Sequence, residues 1–61
     1  MNAPISILLI DDHPVVRTGY RRLLESKQDM QVIAEAESGE TGYLLYQEHQ
    51  PDVTILDLNM P

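Results

Sequence analysis

The segment Ile5–Ile10 (ISILLI), which stops at the acid pair Asp11–Asp12, constrains the fold of this chain more than any other feature. All of its residues except Ser6 are apolar, and the segment is short and rich in β-branched side chains. This pattern predicts a strand that is covered on both faces, as strands of parallel sheets are. We therefore expect a sheet with helices packed on each side of this strand.

The rest of the chain alternates between helical and strand patterns. Pro14 suits the first turn of a helix, with Asp12 or His13 as its cap, and the apolar residues that follow it recur with helical spacing. Ser38 is a good N-cap for a second helix, which Pro51 brings to an end. The predicted elements are β1 at Ile5–Ile10, α1 from Pro14, β2 at Gln31–Ala36, α2 from about Gly39 to His49, and β3 at Asp52–Leu58.

This alternation is typical of consecutive strand–helix–strand units and a parallel sheet. The polar content of β2 favours an edge position for that strand. In α1, the apolar stripe Val16, Tyr20, Leu23 and Leu24 is expected to face the sheet, and Gly19 is expected to let the helix approach it closely.

Length and composition narrow the class of protein. A chain of 61 residues is about half the size of an ordinary domain. It has no cysteine for a disulfide framework, and its net charge of −6 argues against direct binding of a nucleic-acid backbone. Neither a signal peptide nor an apolar run long enough to cross a membrane is visible, so we expect a cytoplasmic protein.

Three carboxylates follow strands that are expected to be neighbours. Asp11 and Asp12 come directly after β1, and Asp57 lies at the end of β3. The carboxyl ends of parallel strands meet at one edge of the sheet, where ligands of such folds bind. A hard cation with oxygen ligands, Mg²⁺ above all, would relieve the repulsion among these acids. A carboxylate beside such a cation can also act as a nucleophile toward phosphorus.

The segments LLIDDHPVVRTGYRRLL, AESGETG and QPDVTILDLNMP closely resemble the receiver domain of bacterial two-component response regulators. The sequence of the first helix is most similar to that of regulators with a LuxR-type helix-turn-helix output domain. The resemblance implies an α/β fold with flavodoxin-like receiver topology, truncated here to β1-α1-β2-α2-β3. Residues 1–61 are accordingly interpreted as the N-terminal half of a receiver domain.

The resemblance also assigns roles to individual residues. It implies that Asp57 accepts a phosphoryl group from a phosphohistidine of a sensor histidine kinase. Asp12 would bind Mg²⁺ directly, and Asp11 would assist through water or hydrogen bonds. Asp57 itself and the backbone carbonyl of Asn59 would also bind the metal. The expected protein is a phosphorylation-controlled regulator, not an enzyme, and it would reach DNA only through an output domain outside this sequence. Gly42 stands where the family often has Ala.

Two other functions remain open at this stage. One is a half-domain that assembles with a second copy through the exposed edge of β3, as a homodimer or larger species. The other is a Mg²⁺-dependent phosphohydrolase, although such enzymes usually show Asp-x-Asp and not an adjacent acid pair.

His13 is interpreted as an exposed residue at the helix start, with control of access to the site as the alternative. Arg17, Arg21 and Arg22 are either a solvated face or a contact for the kinase.

Overall fold

The structure, a computed structural model, describes residues 3–58 of the chain. The order of elements is the predicted one: β1 at Ile5–Asp11, α1 at Pro14–Glu25, β2 at Met30–Ala36, α2 at Gly39–His49 and β3 at Val53–Asp57. Four of the six strand ends differ from the sequence-based bounds, each by one residue. The most useful of these differences is that β1 extends through Asp11, so this acid is part of the sheet.

The three strands form a parallel sheet in the order β2-β1-β3. The central position of β1 explains its composition, because both of its neighbours and both helices exclude water from it. Ile7 to Ile10 are buried, and Leu8 and Leu9 are completely inaccessible. Burial of such a side chain contributes roughly 1.5–3 kcal/mol. The predictions that β1 is covered on both faces and that β2 lies at an edge of the sheet are confirmed.

A bulge in β2 decides which helix each of its last residues meets. The pairing of β1 with β2 shifts between Ile7 and Leu8, after which Leu9 aligns with Glu35 and Ile10 with Ala36. A one-residue shift of this kind exchanges the two faces of a strand. Ala36 joins Leu8 and Ile10 in the cluster that packs on α2, whereas Glu35 is paired with arginines of α1. The two helices therefore lie on opposite faces of the sheet.

Local signals at the ends of the helices agree with the sequence analysis. Pro14 occupies the first turn of α1, and the N-cap position is taken by His13. Ser38 caps α2 by accepting a hydrogen bond from the Thr41 amide at 3.2 Å. Gln50, which closes α2 ahead of Pro51, adopts a left-handed conformation with a φ of 47°.

The packing of α1 is looser than its apolar pattern predicts. No residue of this helix is buried within the described chain, and Val16, Tyr20 and Leu23 stay largely exposed. The apolar arc of the helix is wider than the part of the three-stranded sheet that it covers.

The expectation that Gly19 lets α1 approach the sheet is wrong. A Cβ atom at Gly19 would meet no neighbouring atom within 4 Å. The close approach occurs in α2, where a Cβ at Gly42 would collide with the Ile10 side chain and lie 2.7 Å from its Cγ1. Packing therefore favours glycine at position 42 in α2 but not at position 19 in α1.

At the amino ends of the strands, Ser6 and Asp52 join the beginnings of β1 and β3. The Ser6 amide and hydroxyl both donate to Asp52 Oδ2, at 2.9 and 3.0 Å, and the Asp52 amide donates to the Ser6 hydroxyl oxygen at 2.9 Å. These hydrogen bonds favour the ionised carboxylate and lower the pKa of Asp52. Ser6, the one residue of Ile5–Ile10 that is not apolar, thus fixes the register of β1 against β3.

Among residues 3–58, neither helix has the length and apolarity that crossing a membrane requires.

The two glycines provide a matched pair of substitutions. Gly19→Ala is expected to raise the free energy of unfolding of the full-length protein by about 0.5–1 kcal/mol, because alanine favours the helix and meets no obstacle. Gly42→Ala gains the same propensity but forces Ile10 aside, which costs roughly 1–3 kcal/mol, so we expect a net loss of stability. Urea unfolding monitored by circular dichroism measures both effects.

Shortening Ile10 to valine is the control for Gly42. The double variant Ile10→Val/Gly42→Ala should be more stable than the sum of the two single changes predicts, because the substitutions compete for one volume. Additive effects would contradict the proposed contact.

The hydrogen bonds of Asp52 predict a pH dependence of stability. Because its folded-state pKa is lowered, Asp52 stabilises the fold above its ordinary pKa, and this contribution disappears as the pH falls through the lowered value. The difference in unfolding free energy between the wild type and Asp52→Asn should therefore be full at neutral pH and vanish in strong acid. Asp29→Asn, at an exposed aspartate, is the control.

Candidate phosphoacceptor and metal site

The carboxyl ends of β1 and β3 bring two of the predicted site residues together. Asp11 and Asp57 are direct partners in the parallel pairing of the two strands. Asp11 is buried at this end, whereas Asp57 is exposed to solvent. Asp12 follows Asp11 at the start of the β1–α1 connection. Asn59, the fourth predicted residue, lies outside the described part of the chain.

Asp11 is the most deeply buried charged group in the described chain, with 0% of its surface accessible. Its Oδ1 atom accepts a hydrogen bond from the His13 amide at 2.8 Å, which bends the chain sharply after the strand. Its Oδ2 atom is also buried but has no hydrogen-bond partner among the described residues. An ionised oxygen in this state is costly unless a cation or a donor reaches it.

Asp12 and His13 complete a compact group of ligand atoms beside Asp11. The His13 Nδ1 atom lies 2.8 Å from Asp12 Oδ1 and 3.7 Å from Asp11 Oδ1. One ligand atom from each of the three residues falls within 4.8 Å of the other two. Asp57 is on the adjacent strand and does not belong to this group.

A charge network on the α1 face supports the β1 end of the site. The Arg17 guanidinium donates a hydrogen bond to the Asp11 carbonyl oxygen at 3.0 Å, and its Nε lies 3.3 Å from Glu35. Arg21 also contacts Glu35, at 2.8 Å, and Glu25 at 3.4 Å. Both carboxylates raise the pKa of Arg21, with Glu35 having the larger effect. Arg17 thus links the backbone of Asp11 to β2.

Neither this network nor the contact of His13 was predicted from the sequence. Two features of the sequence point to the network: Arg17 and Arg21 are four residues apart on one helix, and Glu35 is the single acid in an otherwise apolar and neutral strand. The contact between His13 and Asp12 depends on the bend after β1. His13 is exposed, as expected, but its ring turns toward the carboxylates.

The donor set fits a hard divalent cation. Two adjacent carboxylates lie at the carboxyl end of the central strand, a third is on the neighbouring strand, and one buried oxygen of Asp11 has no protein partner. Oxygen ligands with room for water are the environment that Mg²⁺ prefers.

Comparison with known proteins agrees with this geometry. Residues 7–61 match the sequence profile described as the response regulator receiver domain. The chain belongs to the response regulator receiver domain family. The curated relatives include the nitrate/nitrite response regulator protein NarL of Escherichia coli K12, which is 50% identical over 95% of this chain. Another is the oxygen regulatory protein NreC of Staphylococcus haemolyticus, 47% identical over 93% of the chain.

Solved receiver structures confirm the flavodoxin-like topology. The receiver domain of the putative response regulator NarL from Mycobacterium tuberculosis superimposes with a TM-score of 0.91 at 35% identity, over 98% of this chain and 48% of that one. A LuxR-family response regulator from Aurantimonas sp. SI85-9A1 gives 0.88 at 46% identity, over 97% and 42%. The similarity to LuxR-type regulators predicted from the first helix is thereby confirmed. The receiver chain spans about 27% of the length of NarL and 26% of NreC.

Proposed function

We propose that this receiver chain is the phosphoacceptor part of a two-component response regulator and that Asp57 accepts the phosphoryl group. The supporting observation is the pairing of Asp57 with Asp11 at the carboxyl ends of adjacent strands. The nucleophile is thereby held beside a buried carboxylate with an unpartnered oxygen. Asp57 is also exposed, which the approach of a macromolecular phosphoryl donor requires.

In the proposed reaction, a carboxylate oxygen of Asp57 attacks the phosphorus of a phosphohistidine in the partner kinase. The new P–O bond forms an acyl phosphate as the P–N bond breaks. The leaving imidazole keeps the electron pair of that bond and takes up a proton. Mg²⁺ would neutralise the negative charge on the phosphoryl oxygens during transfer.

The residues around Asp57 have separate proposed roles in holding the cation. Asp12, with its side chain 36% exposed, is placed to bind Mg²⁺ directly. Asp11 is buried and acts through water or hydrogen bonds, which its unpartnered oxygen favours. The remaining proposed ligands are the Asp57 carboxylate and the backbone carbonyl of Asn59, two residues after it.

The proposed partner is a sensor histidine kinase. Two of the three arginines of α1, Arg17 and Arg21, are paired with Glu35, and the Arg21 side chain is still 54% exposed. Within residues 3–58 Arg22 has no ion pair, and it lies with Val15, 86% exposed, on the outer side of the helix. This outer side is the part of α1 that we propose for the kinase contact.

We further propose that residues 1–61 form the N-terminal half of a receiver domain in a cytoplasmic regulator. An output domain outside the 61 residues would bind DNA, and phosphorylation of the receiver would control it. This arrangement follows the LuxR-type relatives, of which the chain covers only a part. The domain is a signalling module, so no sustained turnover is expected.

The phosphohydrolase alternative receives no support from the geometry. An acid catalyst two residues after a nucleophile would place both side chains on the same side of the extended strand. Here the adjacent acids differ in environment, since Asp11 is buried within the sheet and Asp12 lies beyond it, partly in water.

A second proposal concerns the 61 residues taken by themselves, which we expect to self-associate. Within the described residues β3 pairs only with β1, so its outer edge is open, and Leu56 is 64% exposed. An apolar groove of about 330 Å³ between α2 and β3 is lined in part by Ile10, Tyr43 and Tyr46. An open strand edge beside exposed apolar side chains tends to pair with another strand.

The phosphoacceptor assignment predicts the outcome of a single substitution. Asp57→Asn in the full-length protein should abolish the formation of acid-stable, base-labile acyl phosphate by acetyl phosphate or by the cognate kinase in the presence of Mg²⁺, because the amide is not a nucleophile toward phosphorus. Intact-protein mass spectrometry detects the added phosphoryl group.

Asp29→Asn is the matched control, because Asp29 lies at the other end of the sheet, and it should be phosphorylated at the wild-type level. Phosphorylation of Asp57→Asn at the wild-type level would show that the acceptor is another residue.

Self-association predicts the behaviour of the 61 residues in isolation. They should sediment as a dimer or a larger species in analytical ultracentrifugation, because a monomer leaves the β3 edge and the apolar groove in water. Leu56→Lys, which places a charge beside that edge, should shift the distribution toward monomer. A monomer that unfolds cooperatively without this substitution would contradict the proposal.

A further inference from the structure

Arg17, near the beginning of α1, holds the backbone of the segment that joins β1 to this helix. Its Nη1 atom donates a hydrogen bond to the Asp11 carbonyl oxygen at 3.0 Å, and its own amide donates to the His13 carbonyl oxygen at 2.8 Å. Asp12 lies between these two anchored carbonyl groups. One residue of the helix therefore fixes both ends of the segment that carries the proposed direct ligand of Mg²⁺.

The sheet by itself leaves one side of Asp11 without a strand neighbour. The pairing of β1 with β2 ends at Ile10 and Ala36, so among the described residues Asp11 has a strand partner only on β3. Backbone beyond the last pair of a ladder needs another hydrogen-bond partner to hold it. Arg17 provides that partner at the point where the strand ends.

The guanidinium of Arg17 is itself held by an acid of β2. Its Nε atom lies 3.3 Å from Glu35 Oε1, while Glu35 Oε2 accepts a hydrogen bond from Arg21 at 2.8 Å. The Arg17 side chain is 22% exposed and the Arg21 side chain 54%, so water screens the contacts of Arg17 less. Two different nitrogen atoms of one rigid, planar group thus join β2 to the end of β1.

Arg17 does not act as a counter-ion for the acids of the site. Within residues 3–58 its guanidinium forms an ion pair with Glu35 and none with the carboxylates of Asp11, Asp12 or Asp57. Those carboxylate oxygens therefore stay available to a cation, and Arg17 reaches the site only through the backbone carbonyl of Asp11.

We propose that Arg17 is a positioning residue for phosphoryl transfer, because it fixes the Asp11–Asp12 peptide and thereby holds the Asp12 carboxylate in place for Mg²⁺. The inference rests on the proposed function, in which Asp12 binds Mg²⁺ and Asp57 accepts the phosphoryl group. A ligand that is fixed beforehand loses less conformational freedom when it binds metal, so it binds more tightly. Lysine cannot replace Arg17, because one ammonium nitrogen cannot take the positions of both Nη1 and Nε.

The test compares Arg17→Lys with Arg21→Lys in the full-length protein. The two arginines lie four residues apart on α1 and share Glu35 as a partner, but within the described chain only Arg17 contacts Asp11. In the metal-free protein, ¹H–¹⁵N spectra report on the Asp12 amide, whose nitrogen is bonded to the carbonyl carbon of Asp11. The same spectra during titration with MgCl₂ give the Mg²⁺ affinity, and acetyl phosphate gives the rate of phosphorylation at each Mg²⁺ concentration.

Arg17→Lys should shift the Asp12 amide resonance in the metal-free protein and weaken Mg²⁺ binding by about tenfold or more, the usual effect of losing an outer contact of a metal ligand. The Mg²⁺ concentration that gives half-maximal phosphorylation should rise by the same factor, whereas the rate at saturating Mg²⁺ should stay near that of the wild type. Arg21→Lys should leave the Asp12 resonance and the Mg²⁺ affinity unchanged.

Glu35→Gln is a second variant, which keeps Arg17 but removes the charge that holds its guanidinium. It should weaken Mg²⁺ binding less than Arg17→Lys does, and the double variant should lose less affinity than the two single effects combined, because both residues act in one chain of contacts. Where Arg17→Lys does not fold, Glu35→Gln decides by itself, and unchanged Mg²⁺ affinity in it overturns the proposal.

An unchanged Asp12 resonance or unchanged Mg²⁺ affinity in folded Arg17→Lys would overturn the proposal, as would an equal loss of affinity in Arg21→Lys. Failure of the proposed function appears differently, as wild-type protein that is not phosphorylated on Asp57 in the presence of Mg²⁺.

Discussion

The burial of β1 between two helices is the constraint on which the rest of the structure depends. Because this strand is covered by α1 on one face and α2 on the other, its backbone and its end are fixed in position. Asp11 is the last residue of the strand and is carried into the interior with it. The hydrophobic effect thus provides the free energy that holds an unfavourable carboxylate at the edge of the sheet.

The charges around this edge are arranged unequally on its two sides. On the α1 side, Arg17 and Arg21 meet Glu35, and Arg17 also donates to the backbone of Asp11. Beyond the carboxyl end, Asp12 and Asp57 are exposed to solvent, and the imidazole of His13 contacts Asp12. The arginines stabilise the scaffold and leave the carboxylates available to a cation. This division supports the proposed phosphoryl transfer.

The order of the elements and the location of the site follow from short-range signals in the sequence. The apolar run of β1, the proline at the start of α1 and the cap at Ser38 each act within a few residues of their position, so their effects were predicted correctly. The packing of the two glycines was not, because helical spacing shows which face a residue shares but not how near the next element comes. The space at Gly42 is filled by Ile10, a residue far away in the sequence.

The sequence by itself determined a parallel strand–helix alternation with acids after the first and third strands, because periodicity and strand-end composition are local properties. Only the tertiary structure decided that Asp11 pairs with Asp57, that the bulge in β2 turns Glu35 toward the arginines, and that His13 directs Nδ1 at Asp12. Those outcomes depend on register and on the bend after β1. Both are settled when the strands pair and the helices close over them, which no single segment specifies alone.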